Sequence, residues 1–143
     1  MILYVDTSAL VKLYIEEPES PLVRGAAETA EAVTTHAIAY AEARATFARL
    51  HREARLSDAT LADVKRAFEH DWERFLRIAA GEALLRRAGD LAEAFGLRGY
   101  DSVHLAAAEW ARLQVGGPVA FSCFDGRLNR AAAVLGLEPL PSP

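Results

Sequence analysis

An α/β fold, with a parallel sheet covered by helices on both faces, is predicted by two features of this 143-residue chain. Short apolar runs rich in β-formers alternate with segments of helical periodicity from one end to the other. That alternation implies right-handed crossovers between parallel strands. No linker, internal repeat or low-complexity tract interrupts it, and the length favours one domain over residues 1–143.

The first strand is Ile2 to Val5, which ends abruptly in Asp6, Thr7 and Ser8. A short helix over Ala9 to Ile15 follows, and Pro18 and Pro21 let a second helix begin near Glu19. Ala32 to Thr35 is a weak second strand, and helix runs from about His36 to Ala54. Ser57 starts the next helix, whose apolar face is Leu61, Val64, Lys65, Phe68, Trp72 and Phe75, with the Lys65 stem contributing. Phe75 to Ala79 is read as a short third strand. Gly81 to Phe95 is helix closed by Gly96, and Gly99-Tyr100 is read as a break. Asp101 to Leu113 is helix, with Val103, Ala106, Ala107, Trp110 and Leu113 as its expected buried stripe. Val119 to Cys123 is a buried strand, Arg127 to Leu135 a helix stopped by Gly136, and Leu137 to Leu140 a last edge strand. Pro139, Pro141 and Pro143 make the tail poor ladder material.

Composition excludes several functions. A single cysteine, Cys123, rules out an internal disulfide framework and a cysteine-rich zinc site. It also fits a reducing compartment. No apolar run approaches a membrane span, and no basic region precedes a longer apolar stretch at the N-terminus. The expected location is the cytoplasm. The net charge of −4 argues against broad, sequence-blind attraction to nucleic acid. It leaves room for a site whose positive charge comes from a metal. Nucleotide-cradling glycine motifs and the serine-hydrolase elbow are missing, and Cys123 has no evident base beside it.

Four acids stand out. Asp6 follows the first strand, where open α/β sheets bind ligands, though it is equally a good helix cap. Glu42 sits on its helix between Ile38 and Ala45, in a small-residue apolar stripe where a carboxylate needs a partner. Its plain alternatives are a solvated glutamate or a pair with Arg49. Asp101 starts a helix after two glycines, and Asp125 follows the Ser122-Cys123 strand end; both also read as caps or turn residues. In a parallel α/β fold all four face one rim of the sheet. Two charges ~4 Å apart at an effective dielectric of 20 interact by about 4 kcal/mol, so such a cluster takes up protons or cations. Hard oxygen ligands select magnesium or manganese, and His36, His51, His70 and His104 show no zinc spacing. His104 lies three residues after Asp101 and reads as structural.

VDTSAL around Asp6, YAEAR around Glu42, LRGYDSVHLAAA around Asp101 and FSCFDGRL around Asp125 resemble, in order, the four acidic motifs of the PIN-domain family. The resemblance is strongest to the VapC-like toxins of toxin–antitoxin pairs and spans essentially the whole chain. It implies a three-layer α/β/α sandwich with a central, mainly parallel sheet. It also implies a Mg2+- or Mn2+-dependent ribonuclease. By position, Asp6, Glu42 and Asp101 become the principal metal-site acids and Asp125 completes the site, directly or through water. Thr7 and Ser122 become supporting hydroxyls. The residues suggest the same chemistry, in which activated water attacks a phosphodiester and metal charge stabilises the developing negative phosphate.

Two other readings are open at this level. One is a non-catalytic PIN-like module that binds RNA or protein. The other is a phosphoryl-transfer or receiver-like protein, against which the lack of a second aspartate two residues after Asp6 counts. The toxin reading implies an RNA substrate, a cognate VapB-like antitoxin and no membrane. A homodimer is expected, in which the Tyr40 and Phe47 face of the third helix is either contact or core. Arg98, Arg127 and Arg130 are the expected phosphate contacts near the rim.

Overall fold

The computed structural model describes residues 1–142. The tail proline Pro143, counted above, lies outside the described residues. In chain order the elements are β1 (Ile2–Val5), α1 (Thr7–Lys12), α2 (Ser20–Thr29), β2 (Ala32–His36), α3 (Ala39–Arg52) and α4 (Asp58–Trp72). They continue with β3 (Leu76–Ile78), α5 (Glu82–Phe95), α6 (Gly99–Val115), β4 (Val119–Ser122), α7 (Gly126–Val134) and β5 (Glu138–Leu140). The strands form one sheet in the order β3-β2-β1-β4-β5, and every neighbouring pair is parallel.

β1 is the centre. It pairs with β2 from Ile2↔Ala32 to Tyr4↔Thr34, and with β4 from Ile2↔Val119 to Val5↔Ser122. The chain first builds outward through β2 and β3, then returns to the other side of β1 for β4 and β5. Open parallel sheets bind ligands at such a reversal, beyond the carboxyl ends of the strands. Those ends here are Val5 and Ser122, and the Asp6 N–H donates to the Ser122 carbonyl at 3.1 Å.

Alternation along the strands sends side chains to two cores. Leu3, Val5 and Ala120 pack with α1 to α4, where Phe47, Phe68 and Trp72 dominate. Tyr4, Val119 and Phe121 pack with α5 to α7, where Leu91, Leu105 and seven alanines fill the space. The three-layer expectation is met. Tyr40 stacks on Phe68, Phe47 meets Phe68 edge-on, and Phe47 is fully buried, so that face of α3 belongs to the core.

Several element edges differ from expectation. Asp6 caps α1, which therefore starts at Thr7 and ends at Lys12, short of Ile15. The following turn is tied down by Ser20, whose hydroxyl donates to the Ile15 carbonyl, and by the buried Lys12 ammonium on the Pro18 carbonyl. His36 closes β2 by pairing with Ile78, so α3 starts later, at Ala39. Gly99 and Tyr100 are the first turn of α6; the break is upstream, at left-handed Gly96. The expected buried stripe of α6 is also rotated. Ser102, Leu105, Ala108 and Ala111 point inward, while Trp110 and Leu113 are 49% and 63% exposed. Ala106, Ala107 and Ala108 are all buried, so the sequence around them carries little contrast from which to read the phase.

Candidate active site

The rim is built by strand ends and helix starts. Asp6 leaves β1 and is 94% buried by the elements around it, at 6% exposure. Its Oδ1 accepts from the Ala9 N–H at 2.9 Å and the Ser8 hydroxyl at 2.7 Å. Glu42 lies in the first turn of α3. Its Oε1 accepts from the Thr7 hydroxyl at 2.7 Å and lies 3.1 Å from His104 Nε2. Asp101, in the first turn of α6, accepts on Oδ2 from Arg98 Nε at 3.2 Å. Asp125 is exposed and caps α7, its Oδ1 accepting from the Leu128 N–H at 2.9 Å.

The helix-cap reading is therefore true of Asp6 and Asp125, and it does not exhaust them. All four carboxylates follow one pattern: one oxygen serves the fold and the other has no hydrogen-bond partner among the described residues. The free oxygens are Asp6 Oδ2, Glu42 Oε2, Asp101 Oδ1 and Asp125 Oδ2. The suggested Glu42–Arg49 pair does not form, since Arg49 pairs with Glu53. Asp101 and Asp125 share one cleft with Arg98, Arg127 and Arg130. His104, one turn after Asp101, links that helix to Glu42.

The environments push the two inner acids in opposite directions. Burial raises the Asp6 carboxyl, against the lowering effects of His104, Ser8 and the Ala9 N–H, and the charge of Asp101 raises it further. Burial also raises Glu42, but the hydrogen bonds from His104 and Thr7 and the favourable electrostatics of His104 and His36 outweigh it and leave Glu42 below its ordinary value. A buried, unpaired negative charge is costly unless a cation meets it.

Whether these residues suit a divalent cation can be judged from the donors. Among the described residues no group of three or more His, Cys, Asp or Glu side chains lies close enough together to hold a metal ion. The rim nevertheless offers four free carboxylate oxygens, all hard donors of the kind Mg2+ and Mn2+ prefer. Ser122 adds a buried hydroxyl oxygen, at the end of β4, with no partner. Mg2+ keeps several waters and needs only one or two protein carboxylates, so an open arrangement fits it.

Thiol chemistry is absent from this rim. Burial pushes the Cys123 thiol up to about 12, and its Sγ donates to Asn129 Oδ1 at 3.2 Å. Three residues given no site role from the sequence, Tyr4, His36 and His104, are brought here by the fold. The Tyr4 hydroxyl lies 2.8 Å from His104 Nδ1 and accepts from the His36 N–H at 3.1 Å. His36 Nε2 is buried without a partner. The i, i+3 spacing of Asp101 and His104 was the available signal for His104; no local signal marks Tyr4.

A parallel sheet reversing at β1, with acids at its carboxyl rim, defines the class, and the PIN domain family model matches residues 3–134. The chain belongs to the PIN domain family. It is a VapC-like member: it is 34% identical to Ribonuclease VapC45 of Mycobacterium tuberculosis (strain CDC 1551 / Oshkosh) over 99% of this chain and 96% of that protein. Ribonuclease VapC49 of the H37Rv strain shows the same identity and coverage, and Ribonuclease VapC46 is 32% identical over 94% of this chain and 93% of its own length. Two crystal structures share the fold with a TM-score of 0.65 each. PAE2754 from Pyrobaculum aerophilum is 19% identical, over 99% of this chain and 90% of that one. FitAcB from Neisseria gonorrhoeae is 20% identical, over 97% and 96%. Among the described residues no helix is long and apolar enough to cross a membrane.

Proposed function

We propose that this protein is a ribonuclease that hydrolyses RNA phosphodiester bonds with the help of Mg2+ or Mn2+, and that it is the toxin of a toxin–antitoxin pair. The observation that carries this reading is the row of half-used carboxylates, each with one oxygen in the fold and one free. Membership of the PIN domain family and relatives named as VapC ribonucleases support the reaction class.

Asp6, Glu42, Asp101 and Asp125 would hold the cation, with Thr7 steadying Glu42 and Ser122 supplying a further oxygen. When bound, a divalent cation supplies an acidified water and positive charge for the phosphate oxygens. The chain's own part is to orient the scissile phosphate. Arg98, Arg127 and Arg130 line the cleft of Asp101 and Asp125, and guanidinium groups match phosphate bidentately. The direct test is cleavage of RNA by purified protein. Exhaustive chelation should abolish it and added Mg2+ or Mn2+ restore it. Cleavage that survives chelation would reject the metal.

A VapC-like toxin implies a VapB-like antitoxin. Expression of this protein alone should arrest growth, and co-expression of its genomic neighbour should relieve the arrest. Unaffected growth at high levels of folded protein would reject the toxin role. For a homodimer the candidate contact is the groove that exposed Trp110 and Leu113 line together with Leu84 and with Ile78 of the edge strand β3. Sedimentation of the protein and of Leu113→Glu checks it; a wild-type monomer at every concentration would reject it.

A further inference from the structure

His104 is hydrogen-bonded both to Tyr4 at the buried sheet centre and to Glu42 at the rim. Its ring sits on α6 with Nδ1 at 2.8 Å from the Tyr4 hydroxyl and Nε2 at 3.1 Å from Glu42 Oε1. The proton on this chain of atoms follows from counting donors. The Tyr4 oxygen already accepts from the His36 N–H. A phenol carries its proton at neutral pH, and the remaining hydrogen-bonded partner of Tyr4 among the described residues is His104 Nδ1, since the neighbouring Thr35 hydroxyl points its own proton at the Val5 carbonyl. Tyr4 therefore donates to Nδ1, which must be bare. A neutral imidazole then has its proton on Nε2, facing Glu42.

The consequence reaches the carboxylate. Thr7 donates to the same Glu42 oxygen at 2.7 Å, and its own oxygen lies 3.3 Å from His104 Nε2. Oε1 is thereby fastened by two donors from two different elements, α1 and α6, while Glu42 itself rides on α3. Only Oε2 remains for a ligand. The ring cannot swing away, because His104 is 2% exposed and packs edge-on against Tyr4.

We propose that His104 is the positioning residue of Glu42: Tyr4 fixes the ring in its Nε2–H form, and that N–H, with Thr7, holds Glu42 Oε1 and leaves Oε2 as the oxygen that would be available to a cation. This rests on the metal-dependent reading above. Partners of metal-ligating carboxylates change metal affinity about 10–100-fold when removed.

The test begins with the metal-free wild-type protein, which needs no substitution. Nitrogen-15 NMR of the histidine rings, with His104 assigned from its absence in His104→Gln, should show a single Nε2–H tautomer with Nδ1 accepting. A ring that carries a proton on Nδ1 would overturn the proposal. Mn2+ titration by calorimetry supplies the second arm. Tyr4→Phe keeps the ring and removes the hydroxyl; it should mix the tautomers and weaken Mn2+ by about 10–100-fold. His104→Leu should weaken it at least as much, and His104→Gln, whose amide can donate from near the Nε2 position, should recover most of the loss. Undiminished Mn2+ affinity in Tyr4→Phe and His104→Leu, beside a wild type that binds, would overturn the His104 assignment alone. A wild type that binds no Mn2+ would overturn the metal reading and this assignment with it.

Discussion

Charges on the flanks of this molecule and charges on its rim are handled differently. On the flanks, acids are met by bases: Arg87 holds Glu109 through two bonds of 2.8 Å, Arg86 holds Glu82, and Arg66 holds Asp63. On the rim, Asp6 and Glu42 are met by hydroxyls, a backbone N–H and a histidine, and among the described residues no lysine or arginine is bonded to them, while Asp101 takes Arg98 on one oxygen and keeps the other free. Exposed pairs contribute about 0–1 kcal/mol and are easily given up. Buried acids without a cation are kept at a cost, which a protein tolerates where the missing charge comes from outside.

The largest effect should come from the rim. Asp101→Asn should lower RNA cleavage by roughly 100-fold or more, since metal charge contributes several kcal/mol to such reactions. The amide is nearly the same shape and leaves the fold intact, so circular dichroism should be unchanged. Full activity in this variant would erase the distinction between rim and flank.

A smaller effect belongs to the cleft between them. Arg130→Ala should raise KM several-fold with kcat preserved. If three arginines carry the phosphate contacts, the logarithm of RNA affinity should fall with the logarithm of salt with a slope of about −2, and the variant should flatten that slope by about 0.7. A steep slope would mean that the positive charge lies elsewhere. The smallest effect is expected on the flank itself. Arg66→Ala breaks the exposed pair with Asp63 and should shift stability by less than about 1 kcal/mol, with cleavage untouched. A loss of activity there would blur the comparison from the other side.

Much of this was legible in the chain. Ile2–Val5 and Val119–Ser122 are short β-forming runs ended by polar residues, so both strands and the acids after them could be placed. The short β3 was also visible, as an apolar run within Phe75 to Ala79. The phase of α6 was not, because consecutive alanines fit any face and the large residues Trp110 and Leu113 suggested the wrong one. The placement of the four acids near the carboxyl ends of the strands followed from their position after strands and at helix starts. Which oxygen of each is free did not, since that depends on caps and partners. The Tyr4–His104 contact spans 100 residues and the His104–Glu42 contact 62, and no local pattern encodes either.

Thermal melting of the wild type and Asp6→Asn, each with and without Mg2+ or Mn2+, reads out whether the rim carboxylates meet a cation. Burial raises the Asp6 carboxyl above its ordinary 3.8. A raised acid contributes stability that is present below its unfolded value and lost as pH rises through its folded value, so at neutral pH the charged group weighs against the metal-free fold. Asparagine keeps the cap and removes that charge. The account predicts that metal-free Asp6→Asn melts at the same temperature as wild type or higher, with an advantage that grows from about pH 4 toward neutrality. It predicts that a hundredfold excess of cation over its dissociation constant stabilises wild type by about 2.7 kcal/mol and the variant by much less. A wild type whose melting does not respond to either cation, together with a metal-free Asp6→Asn that melts lower, would contradict it.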